Sequence, residues 1–166
     1  MKPCVAFAGL ALALCSAPIF GEDVVRHGNP NPDSPIAQAV EVPPGHTLVF
    51  LSGVGPDMAD KSAPEGTAGA YGDTKTQTLS VLRKIEAILE SMGLGMTDVV
   101  RMQVFLAGDR AQGGRMDFAG MMAGYRIFFG SAKQPNVPAR STMQVVALAN
   151  PGWLVEIEVT AVRPSR

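Results

Sequence analysis

Cysteine is almost missing from this chain: of 166 residues only Cys4 and Cys15 carry a thiol, and both fall near the N-terminus. If that segment is removed on export, the mature protein has no cysteine nucleophile, no disulfide framework and no cysteine-based zinc site. Histidine is nearly as scarce. His27 sits in a Pro- and Asn-rich stretch and His46 in a turn. Neither has a partner at metal-ligand spacing, so both are expected at the surface and no metal site follows. A basic excess is also absent, since 14 Lys and Arg face 15 Asp and Glu for a net charge of -1. Without such a field there is no general affinity for a phosphate backbone, and a nucleic-acid partner is not expected. Gly53-Val54-Gly55-Pro56 lacks the third glycine and following helix of a dinucleotide fingerprint, and no Gly-x-Ser-x-Gly elbow occurs. Bound nucleotide and covalent serine hydrolysis are therefore disfavoured.

Long hydrophobic runs are lacking too. The longest, residues 5–14, follows Lys2 and gives way to polar, Pro-rich sequence. It is shorter than the roughly 20 apolar residues that span a bilayer, so it predicts a signal peptide over residues 1–21, an exported, periplasmic protein and no stable membrane span. Ala17 and Gly21 are small enough for the cut, which would start the mature chain at Glu22 or a few residues earlier. Lipidation at Cys15 is the alternative, with the bulky Leu14 against it. Residues 22–35, with two Asn-Pro pairs, are expected to form an extended arm, and residues 36–166 a single domain.

What remains is strongly patterned. Residues 36–42 and 47–52 are β-favourable runs split by Pro43-Pro44-Gly45-His46 and predict a hairpin. Residues 53–72, rich in Gly, Pro and Ala, predict a long loop that delivers Tyr71 to the next element. Thr74-Lys75-Thr76-Gln77 has capping-box spacing. Val81, Leu82, Ile85, Ile88, Leu89 and Met92 then recur at helical intervals up to Gly93. Residues 99–107 alternate as a strand. Phe118, Met121, Met122, Tyr125, Phe128 and Phe129 trace a second helical stripe, expected to be core. Residues 141–148 and 153–162 predict two closing strands joined by a hairpin turn at 149–152. The fold class is α+β, in the order β-β-α-β-α-β-β, with two helices on one face of one sheet. Val155, Ile157, Val159 and Ala161 would face those helices, and Glu156, Glu158 and Thr160 the other side. Carboxylates there need water, a partner charge or another subunit, which asks for an oligomer.

Pro138-Ala139-Arg140-Ser141-Thr142 followed by Val155-Glu156-Ile157-Glu158-Val159 resembles the C-terminal signature of the RidA/YjgF family, also known as L-PSP endoribonucleases. The resemblance extends through residues 35–40, Ser52-Gly53, the 77–93 helix, 98–100 and 125–129. It implies a chorismate-mutase-like fold and a homotrimer with a central barrel and ligand clefts between subunits. It further implies a deaminase that hydrolyses reactive enamines and imines to 2-keto acids and ammonia without a cofactor. Arg140 matches the arginine that holds the substrate carboxylate, and its planar fork of donors suits that task. The alternative for Arg140 is an ion pair with Glu156 or Glu158 across the interface. Glu156 matches the residue that positions the hydrolytic water, while Ser52, Gly53 and Thr142 match groups near the ligand. Ile36 stands where many members carry Tyr and Met122 where Asn is common, which implies a greasier pocket. The second functional reading is a non-catalytic, small-carboxylate-binding or chaperone-like trimer. A ribonuclease reading has neither a basic groove nor a catalytic His pair behind it.

Overall fold

The computed structural model describes residues 23–164. The expected signal peptide, both cysteines and the lipidation alternative at Cys15 lie outside those residues. In chain order the elements are β1 (Val25–His27), β2 (Ala39–Glu41), β3 (Thr47–Phe50), the one-turn α1 (Ala68–Tyr71), α2 (Thr74–Ser91), β4 (Val99–Ala107), α3 (Phe118–Phe128), β5 (Ala139–Val145) and β6 (Val155–Arg163).

Alternation builds the sheet. On β4 Met102, Val104 and Leu106 are fully buried, and on β6 Val155, Ile157, Val159 and Ala161 are buried in the same core. The two strands pair antiparallel at the centre of a four-stranded sheet of order β3-β6-β4-β5, in which β5 runs parallel to β4. Val81, Leu82, Ile85 and Leu89 of α2 and Met121 and Tyr125 of α3 cover that face. Each such side chain contributes roughly 1.5–3 kcal/mol by burial, so the helical spacing in the sequence translates directly into packing. Gly93, at φ 71°, ends α2 where the sequence expects it. Its N–H donates to Glu90 O and Leu94 N–H to Leu89 O, the paired bonds of a Schellman motif.

Four local expectations change. The cap of α2 is Asp73, whose carboxylate accepts from Thr76 N at 2.8 Å. Gln77, expected to close a capping box, is instead fully buried and brackets Gly72 O, Gly152 O and Leu154 N. The run 36–42 does not form a hairpin with 47–52: β2 pairs with β1 inside the expected arm, while β3 pairs with β6. The turn at 149–152 forms, with Trp153 N bonded to Asn150 O, yet β5 and β6 are not neighbours because β4 lies between them. Both strand errors share a cause: a turn between two runs sets where the chain reverses and leaves open which strand each run pairs with.

The 53–72 segment is a long connection, as expected, and is pinned along its length. Lys84 Nζ reaches Gly55 O at 3.0 Å and Asp57 Oδ1 at 2.7 Å, and Asp57 N donates to Ser80 Oγ. At its far end the buried Tyr71 stands edge-on to Trp153 and accepts from Asn150 Nδ2 at 2.9 Å.

Candidate functional site

Arg140 lies on β5 opposite Met102 of β4, so its side chain shares the helix-covered face of the sheet. There the guanidinium stacks 4.3 Å from the centre of the Tyr125 ring. Its terminal nitrogens meet two thioethers, Met122 Sδ at 3.1 Å and Met121 Sδ at 4.0 Å, which are weak acceptors. Its Nε is buried without a hydrogen-bond partner. Among the described residues the ion pairs are Lys84–Asp57 and His27–Glu41, so Arg140 has no carboxylate of its own chain. Burial depresses its proton affinity, and the neighbouring Tyr125 offsets part of that. Burial likewise pushes the Tyr125 phenol well above its usual range, and its hydroxyl donates to Pro35 O at 2.9 Å. Thr142, two residues along β5 and on the same face, also has a buried hydroxyl oxygen without a partner. Two orphan polar groups side by side, one cationic, describe a place for an anion with a second acceptor or donor.

Glu156 is placed differently. It pairs with Phe105, as Glu158 does with Gln103, which puts both carboxylates on the open face of the sheet. Strand pairing of β3 with β6 runs through Phe50↔Thr160 and resumes at Val54↔Ile157, one residue out of register, so Ser52-Gly53 bulges beside the glutamates. Gly53 leaves room for Glu156 there: a Cβ on it would overlap the Glu156 carboxylate oxygen and stand 3.0 Å from Cδ. Ser52, Arg101, Gln103, Glu158 and Thr160 line a cavity of about 250 Å³ on this face. Phe50, 73% exposed, and the exposed Leu48 and Met143 project from the same side. Apolar side chains and carboxylates together on an uncovered sheet match a surface that another chain would cover.

The predicted site residues therefore fall into two groups. Arg140 and Thr142 meet on the helix face, and Ser52, Gly53 and Glu156 meet on the open face. The sheet separates the groups within one chain, so Arg140 and Glu156 cannot act on one ligand unless they come from different chains. Within the described residues of one chain Arg140 forms no ion pair with Glu156 or Glu158, and the alternative of such a pair across an interface involves a second chain. Sequence reasoning assigned Met121 and Tyr125 to the core, where they are, and missed that they also form the floor beneath Arg140. The available signal was their spacing with Met122 on one helical stripe. Ile36 joins this wall: Ala37 bridges Ala139 in parallel, and Ile36 is partly buried against the core.

Comparison with known proteins bears on the family and the fold. The family model described as endoribonuclease L-PSP matches residues 28–163. A RutC family protein of Pyrococcus horikoshii is 32% identical over 140 residues, covering 84% of this chain and 96% of that protein. The 2-iminobutanoate/2-iminopropanoate deaminase of Salmonella typhimurium is 33% identical over 97 residues, 58% of this chain and 70% of the deaminase. Among solved structures, E. coli TdcF with bound serine superposes with a TM-score of 0.54 at 30% identity, covering 78% of this chain and 89% of that one. YyfB of Yersinia pestis, at 24% identity and a TM-score of 0.63 over 85% and 98% of the two chains, shares the fold. A matched pattern that spans almost all of the described residues, together with the sheet order and helix layer, leaves one conclusion: this chain belongs to the RidA/YjgF family, also called endoribonuclease L-PSP.

Proposed function

We propose that this protein is an exported, periplasmic homotrimer that hydrolyses 2-imino acids to 2-keto acids and ammonia in clefts between subunits. The observation that carries the reading is the half-buried Arg140 guanidinium, which has no carboxylate partner among the described residues. A bidentate substrate carboxylate would satisfy it far better than thioethers do. In the cleft, Glu156 of one subunit faces the ligand held by Arg140 of the next. It accepts a proton from water as the oxygen attacks the C=N carbon and passes it to the nitrogen, giving a carbinolamine; it then takes the hydroxyl proton and hands that to the amine as it departs. The carbon–nitrogen bond breaks, ammonia leaves and the oxygen remains as the ketone. Ser52 and the backbone at Gly53 hold the water side, and Thr142 the carboxylate side. The deaminase of Salmonella typhimurium supports the reaction class through its name, at the identity given above.

The test is a coupled assay on the mature protein, in which an amino-acid oxidase generates the imine and keto-acid release is followed. Wild type accelerates hydrolysis, and Arg140→Ala, with its oligomer intact, loses roughly hundredfold or more of that acceleration. Unchanged turnover in Arg140→Ala overturns the proposal. One observation favours a second reading, a non-catalytic carboxylate-binding trimer: TdcF is described with an intact amino acid bound. Ligand affinity without turnover on any imine would select it.

A further inference from the structure

The wall around Arg140 names a class of ligand. Within one chain the side chains placed directly against the Arg140 guanidinium are thioethers and an aromatic ring, with the Thr142 hydroxyl two residues along β5 and the Arg126 charge near enough to lower the proton affinity of Arg140. Met122 Sδ is 3.1 Å from Nη2, Met121 Sδ 4.0 Å from Nη1, and the Tyr125 ring lies beneath. Ile36 shares the same side of the sheet through the Ala37↔Ala139 bridge and the bond from Ala37 N to Pro138 O at 3.0 Å. The Tyr125 hydroxyl donates its proton to Pro35 O, which leaves it no proton for an acceptor on the ligand. On β5 beside Arg140, the Thr142 hydroxyl is buried without a hydrogen-bond partner among the described residues.

We propose that this site selects 2-imino and 2-keto acids with bulky apolar side chains over small or polar ones, and that Met122 is the residue that sets the preference. This deepens the deaminase reading and rests on it for turnover, although not for binding. Met122 suits the role because its thioether is a weak acceptor on an unbranched, flexible stem. A carboxylate displaces it from Nη2 at little cost, and the displaced side chain then covers the ligand's apolar group. A polar group in the same place would lose water without gaining a partner. Each buried methylene raises affinity roughly fourfold, so a ligand with three more carbons than pyruvate should bind roughly tenfold to sixtyfold tighter.

The experiment measures binding and turnover separately on the full mature protein. Calorimetric affinities are compared for pyruvate, 4-methyl-2-oxopentanoate and 2-oxoglutarate, and kcat/KM for the matching imines made from alanine, leucine and glutamate. The expected order places the leucine-derived ligand first by tenfold or more and 2-oxoglutarate behind it. Met122→Asn compresses that order to within about threefold, and Ile36→Ser does so in part, which covers the case of a poorly folding Met122 variant. Equal affinities, or a preference for 2-oxoglutarate, overturn the proposal even when turnover is fast, and leave the deaminase reading standing. The expected order of affinities without turnover on any imine sinks the deaminase reading and keeps this one. Failure of every keto acid to bind overturns both.

Discussion

Gly53→Ala is the sharpest small perturbation available. Gly53 is not among the positive-φ glycines, so an alanine is compatible with the backbone. The added methyl nevertheless overlaps the Glu156 carboxylate oxygen and stands 3.0 Å from Cδ and 3.3 Å from Cγ. Ordinary contact between carbons needs roughly 3.5 Å or more, so the carboxylate must swing by about 1 Å or farther. Because the obstacle meets the end of a flexible side chain, the fold should survive. A shift of this size in a group that aligns water costs on the order of hundredfold in kcat, whereas the Arg140 anchor on the other face is untouched. The coupled assay should therefore show kcat reduced by about two decades, with carboxylate affinity and thermal midpoint little changed. A kcat within twofold of wild type would refute the assigned role of Glu156. A loss carried by KM instead would place the damage on the binding side.

Other outcomes follow from the same geometry. Gln77→Leu strips three bonds from a fully buried position, to Gly72 O, Gly152 O and Leu154 N. It should cost about 3 kcal/mol in denaturant unfolding, a drop of about 6–12 °C in Tm; less than 1 kcal/mol would contradict the bracket described for it. Asp73→Ala removes the cap of α2 and should cost about 1 kcal/mol at neutral pH. The hydrogen bonds from Thr76 hold the Asp73 carboxyl below its usual range, so the folded chain binds that proton less readily than the unfolded chain does. Its stabilisation is therefore complete above about pH 4 and fades as pH falls through the depressed folded value. The gap between wild type and Asp73→Ala should narrow on acidification from pH 7 to pH 3; a constant gap would show that the cap does not titrate.

Much of this structure could be read in advance, and the failures share a cause. α2 was legible because Val81, Leu82, Ile85 and Leu89 repeat at the period of the element itself, and burial follows period. The two faces of β6 were legible for the same reason, since Glu156 and Glu158 alternate with fully or nearly buried neighbours. β5, expected over 141–148 and found over Ala139–Val145, was legible as a strand but its inner face was not, because Arg140 and Thr142 sit where apolar residues would have marked that face. A strand that carries a site gives up the pattern that would orient it. Its parallel pairing with β4 is also non-local, and the intact turn before Trp153 pointed to the wrong neighbour. Asp73 outcompeted Thr74 as a cap because Gln77 was drawn into the interior and could not return the second bond of a capping box. At the site, the family resemblance marked Arg140 and Glu156, yet no reading of one strand at a time reveals that the sheet holds them apart.

That separation gives the most direct test of the account. Arg140→Ala and Glu156→Gln chains, each inactive alone, are refolded together in equal amounts and assayed for imine hydrolysis at the total chain concentration used for wild type. If each site takes Arg140 from one subunit and Glu156 from another, random assortment leaves about one quarter of the sites complete, and about one quarter of wild-type activity returns. A mixed oligomer no more active than its parents would contradict a site shared between subunits.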